Sequence, residues 1–104
     1  AFLEGQGGVF DPEEHRYCCS FSDPLPHYVG KWCAKEAVLK ALCGCCQLSL
    51  RDIQILNRSD GSPYAVIDAS RYARANVHVR LSISHDSRVA IAGAVAMIRQ
   101  RRDA

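Results

Sequence analysis

The sequence predicts an α+β domain in which an antiparallel sheet packs against one long helix and shorter helices. Three observations carry this expectation. The window 27–42 contains no proline and closes at Cys43-Gly44, as a long helix does. Two strand-like segments, 50–56 and 64–68, flank the turn signal Asp60-Gly61 and read as a hairpin. Val77, Val79, Leu81 and Ile83 alternate with His78, Arg80, Ser82 and Ser84, the period-two pattern of a half-buried strand.

In chain order, Asp11-Pro12-Glu13-Glu14 opens a short helix over 12–20. Asp can cap it, Pro suits its first position, and the acids favour the positive end of the helix dipole. Ser22 to Pro26, with two prolines, is expected as a loop, and the long helix follows, with Gly44 as a left-handed cap. After the hairpin, a short helix is expected over 69–75. The alternating strand then leads through the turn His85-Asp86-Ser87-Arg88 to Val89–Ile98. That last run is apolar on both faces and rich in small residues, as a central strand would be.

With 104 residues, 48% hydrophobic and 23% charged, the chain is expected to be one domain spanning 1–104, and disordered or multidomain readings are excluded. Thirteen basic against eleven acidic side chains give +2, too balanced for a nucleic-acid binder. The halves differ: residues 1–52 carry five basic and seven acidic groups, residues 53–104 eight and four, with Arg99, Arg101 and Arg102 at the end. No apolar run reaches the roughly 18 residues of a membrane span, and AFLEGQGG lacks the pattern of a secretory leader. A soluble, untargeted chain without membrane contact is therefore expected. Cys43 and Cys46 form C-x-x-C, but Cys18, Cys19, Cys33 and Cys45 supply no second pair at zinc-finger spacing, so reduced, unbridged thiols are expected.

On a helical wheel with Val29 at zero, Glu36 falls at about 340° and Lys40 at about 20°, between Trp32 and Cys33. A carboxylate and an amine so placed either bind something or form a favourable i, i+4 pair, and the wheel does not decide which face is inside. His85, at the tip of the last hairpin, can project into a cleft or remain a solvated turn residue. Ser84-His85-Asp86 is not a catalytic triad, because neighbours on a strand point in opposite directions.

Taken together, several blocks resemble a known family. They are Phe10-x-x-x-Glu14-x-x-Tyr17-Cys18, Trp32-Cys33-Ala34-Lys35-Glu36-Ala37-Val38-Leu39-Lys40-Ala41, Asp52-Ile53-Gln54-Ile55, Gly61-x-Pro63 and Leu81-Ser82-Ile83-Ser84-His85-Asp86, with Ala90 and Ala92 beyond. The chain resembles the 4′-phosphopantetheinyl transferases, within them the short holo-acyl-carrier-protein synthase type and the transferase domain of fungal fatty acid synthases. The blocks stand in family order from Phe2 to Met97.

The resemblance implies transfer of 4′-phosphopantetheine from coenzyme A to a serine of an acyl carrier protein, leaving 3′,5′-ADP, in fatty acid or polyketide synthesis. It implies that Glu36 is the Mg²⁺ ligand and that Lys40 sets its ammonium against the phosphates, both as catalytic residues. His85 and Ser84 would bind coenzyme A from the hairpin side, with Gly61 and Pro63 near the nucleotide. Mg²⁺ is a hard cation that takes oxygen ligands and keeps several waters. The partners implied are an acyl carrier protein and coenzyme A, in a cytoplasmic homotrimer with sites between subunits or within a megasynthase. The family's opening strand carries G-x-D, whose Asp is a second metal ligand. Gly7-Gly8-Val9 has none, and Ala1-Phe2-Leu3-Glu4 resembles the end of the following helix. That departure leaves a fragment of a longer protein, or a catalytically impaired module that binds a carrier protein or coenzyme A.

Overall fold

The computed structural model describes residues 8–44, 47–68 and 75–100. Its first element, α1 (Pro12–Cys19), starts on a reciprocal cap: Glu14 N donates to Asp11 Oδ1 and Asp11 N to Glu14 Oε1, both at 2.9 Å. The long helix α2 (Leu25–Leu42) begins inside the expected loop, with Pro24 as N-cap and no side-chain cap. Prolines fit there because the first turn's N–H groups have no helical partner. Its C-cap, Cys43, is right-handed, and Gly44 does not take the left-handed conformation expected of it.

A 3₁₀ turn at Leu50–Asp52 replaces the start of the first expected strand, so β1 covers Ile53–Asn57 and pairs antiparallel with β2 (Pro63–Ile67) from Ile53↔Ile67 to Asn57↔Pro63. Gly61 turns this hairpin at φ +90°, a backbone conformation open to glycine. The helix expected over 69–75 falls outside the described residues, except Ala75, which opens β3. The second hairpin joins β3 (Ala75–His85) to β4 (Ala90–Gln100), with register Ala75↔Gln100 to His85↔Ala90. Asp86 closes its turn by accepting from Arg88 N and Val89 N at 2.7 and 2.8 Å. The architecture is α+β, with two antiparallel ladders among the described residues.

The core forms where Ala34, Val38 and Leu42 of α2 meet Ile53 and Ile55 of β1, with Val77, Val79, Leu81 and Ile83 of β3 closing over them. Ala92, Ala94 and Ala96 of β4 face the same core, and their small side chains let the helix lie close to the sheet. A second cluster joins Phe10, Cys18 and Tyr28 beneath α1. The expectation of a central last strand is corrected. Among the described residues β4 pairs with β3 alone, and Ile91, Val95 and Met97 on its outer face are exposed.

Candidate functional site

Helix α2 is apolar on most sides, and tertiary packing selects its inner face. The buried residues are Tyr28, Gly30, Lys31, Ala34, Lys35, Val38 and Leu42, opposite the stripe that carries Glu36 and Lys40. The two charges taken from water are therefore lysines one turn apart. Lys35 Nζ donates to Glu14 Oε1 at 2.9 Å and to the carbonyl of Ile53, while Ile55 N donates to Glu14 Oε2 at 2.8 Å. Lys31 Nζ donates to Ile55 O and Asn57 Oδ1, each at 2.6 Å, and stands 4.5 Å from the centre of the Tyr17 ring. Burial lowers the Lys31 pKa from its ordinary value, opposed by Cys18 and Glu14. These bonds anchor α1 and β1 to α2, so both lysines are satisfied structural cations.

Glu36 and Lys40 lie in an open hollow between α2 and β4. Glu36 is half-buried and Lys40 exposed, and Trp32, Cys33 and Ala90–Ala94 complete the walls. Cys33 Sγ faces Ala90 O at 3.8 Å across it. The ion pair among the described residues is Glu14–Lys35, not Glu36–Lys40. Glu36 offers one carboxylate, and no group of three His, Cys, Asp or Glu side chains assembles among the described residues. Such a donor fits a hard cation that keeps its waters and meets substrate oxygens, not an all-protein cage.

His85, Gly61 and Pro63 meet in a second hollow with His27, Lys31 and Asn57. Lys40 and His85, both implied to meet coenzyme A, line different hollows. Ser84 is exposed, pairs with Ile91 and is absent from the described lining of this hollow. Two imidazoles and one ammonium give the hollow the chemistry of an anion site, with no carboxylate among its described lining residues. The His27 and His85 rings meet edge to face, centroids 4.9 Å apart at 82°. Burial, and after it His85, lowers the His27 pKa. Sequence reading missed His27 and Lys31, and their only signal was position on α2 beside the recognised blocks.

Among the described residues the cysteines add no metal-binding group. Among the described residues Cys18, Cys19, Cys33 and Cys43 are free thiols, and burial pushes the Cys18 thiol up to about 12. Cys45 and Cys46 lie outside the described residues.

The chain belongs to the 4′-phosphopantetheinyl transferase superfamily, whose family profile matches residues 6–92. It is 38% identical over 84 residues to a holo-[acyl-carrier-protein] synthase of Thermodesulfovibrio yellowstonii, an alignment covering 81% of this chain and 70% of that protein. It is 37% identical over 94 residues to the fatty acid synthase subunit alpha of Candida parapsilosis, over 84% of this chain but only 5% of that subunit. The fold matches the Helicobacter pylori holo-[acyl-carrier-protein] synthase solved in complex with coenzyme A. That match has a TM-score of 0.75 and 27% identity, covering 91% of this chain and 83% of the other. No described helix is long and apolar enough to cross a membrane.

Proposed function

We propose that the chain is the transferase domain, spanning 1–104, that moves 4′-phosphopantetheine from coenzyme A to a serine of an acyl carrier protein. The serine oxygen attacks the pyrophosphate phosphorus that carries the pantetheine. A phosphodiester forms, the bond to the bridging oxygen breaks, and 3′,5′-ADP leaves with that oxygen. Membership of the superfamily carries the reading. The two hollows, one with a carboxylate and an ammonium and one with two imidazoles and an ammonium, supply the groups such chemistry needs.

Glu36 would hold Mg²⁺, which when bound offsets the charge of the pyrophosphate. Lys40 meets a phosphate oxygen from the same helix, and His85 faces another from the second hollow. Gly61 and Pro63 line the nucleotide end, and Ser84 flanks it from the strand. Positioning and electrostatics account for the rate, and a carboxylate or an ordered water accepts the serine proton.

Assembly with further copies, as a homotrimer or inside a megasynthase, belongs to the same proposal. Supporting it, Glu36 and Lys40 open toward β4 while His85 opens on another hollow, so a neighbouring copy can complete each half. Exposed Ile91, at the rim of the Glu36 hollow, and Val95 supply apolar contact. A cytoplasmic location is supported by the unbridged, exposed thiols of Cys19 and Cys43.

The test is incubation of an apo carrier protein with the chain, coenzyme A and Mg²⁺, read by intact mass. The expected product is the carrier plus one phosphopantetheine, lost with Glu36→Gln and with chelator. Binding of coenzyme A without any transfer would make the chain a binding module instead.

A further inference from the structure

His27 and Gly30 stand three residues apart on α2, on the side that meets the end of β3. A glycine in mid-helix is less favourable than alanine by roughly 1 kcal/mol, so its presence there points to a packing demand. The demand is visible: a Cβ on Gly30 would lie 3.2 Å from Cδ2 of His85 and 3.1 Å from Cγ2 of Ile83. The space that a side chain at Gly30 would fill is taken by the Ile83 Cγ2 methyl and the edge of the His85 ring. From the other side the His27 ring meets it edge to face at 4.9 Å.

His27 is itself clamped. It stacks on Phe21 at 3.6 Å and 17°, and the Tyr17 ring stands nearly perpendicular to it at 6.1 Å. The charged neighbours act on it in both directions. Burial, His85 and Lys31 disfavour its protonated form, and Asp23 favours it. Held by these ring contacts, His27 packs as an aromatic wall, and the adjoining Lys31 donates to Ile55 O and Asn57 Oδ1. The His85 imidazole is a remaining side-chain donor of this hollow, and the space around its ring is bounded by two residues of the helix.

We propose that His27 and Gly30 are positioning residues for His85, Gly30 by leaving the space the ring occupies and His27 by holding it edge-on over the hollow. The inference rests on the reading of that hollow as a site for a phosphate of coenzyme A. Adding a methyl at Gly30 displaces the ring, while removing the His27 ring lets it swing.

The test is a double-mutant cycle on the full chain, with calorimetric titration of coenzyme A into the parent, Gly30→Ala, His85→Ala and the double variant. Gly30→Ala is expected to weaken binding about tenfold, the size of one charge-assisted hydrogen bond. In the His85→Ala background the same change should add no more than about twofold. Fully additive losses would overturn the proposal, since Gly30 would then act through Ile83 or the backbone. The ¹⁵N resonances of the His85 ring provide a readout independent of ligand. They should shift in Gly30→Ala and, should that variant not fold, in His27→Leu. Unchanged resonances overturn the proposal. If the parent chain binds no coenzyme A, the reading of the hollow fails, and the ring resonances alone decide whether the helix positions His85.

Discussion

Lys35 Nζ lies 2.9 Å from Glu14 Oε1, and the two side chains expose 1% and 0% of their surface. The pair ties the first turn of α1 to the middle of α2. Both groups also bond the backbone of β1, Lys35 at Ile53 O and Glu14 at Ile55 N. The pair thereby adds a polar tie to the apolar contacts among these three elements, and α2 presents its opposite stripe, with Glu36 and Lys40, to the open hollow.

Removing one partner of this pair leaves a buried charge uncompensated. Lys35→Met or Glu14→Leu alone should lower stability by about 3–5 kcal/mol in urea titration, and the double variant should lose less than the sum of the two. Additive losses would mean that the two groups do not depend on one another.

Lys40 is exposed and serves no core contact, so Lys40→Met should leave the urea midpoint near that of the parent. Affinity for coenzyme A should fall about tenfold if its ammonium meets a phosphate. Equal affinity in calorimetry would remove Lys40 from the site.

Thiol reactivity should follow burial. Cys19 and Cys43 are exposed and should be alkylated in the native state at neutral pH. Cys18, fully buried and with its thiol pushed up to about 12, should react only after unfolding. Peptide mapping after a short iodoacetamide pulse distinguishes them, and early labelling of Cys18 would contradict its placement.

Acid should weaken the fold partly through His27. Burial, then His85, holds its folded pKa below the ordinary 6.5, so the unfolded chain takes the proton first. Stability from this group is therefore complete above pH 6.5 and is lost as pH falls from there through the folded value. His85 and Lys31 deepen the effect, and Asp23 reduces it. The drop in urea midpoint from above to below pH 6.5 should be smaller in His27→Gln than in the parent. An equal drop would assign the acid sensitivity to other groups.

The outer face of β4 should carry self-association. Ile91 is 69% exposed and Val95 64%, so Ile91→Lys should shift the chain to a smaller species in light scattering while its circular dichroism stays unchanged. No change in mass would leave this face without a role in assembly.

Local chemistry sufficed for the order of the described helices and strands and for the blocks that mark the family. A capping Asp before Pro12, the Asp60-Gly61 turn and strict alternation from Val77 to Ile83 act within a few residues, so they can be read along the chain. The start of α2 was misplaced because prolines that break a helix interior are tolerated in its first turn. The inner face of α2 was not legible at all. Apolar residues surround the helix, so which side is buried is decided by what packs there, namely Glu14, 21 positions before Lys35, and the carbonyls of β1. The same holds at the hollows. Glu36, Lys40 and His85 could be singled out one by one, but only the path of β3 and β4 across α2 separates the first two from the third and seats His85 against Gly30. Distances between segments remote in sequence are set by the packing of the whole core, and no window of residues contains them.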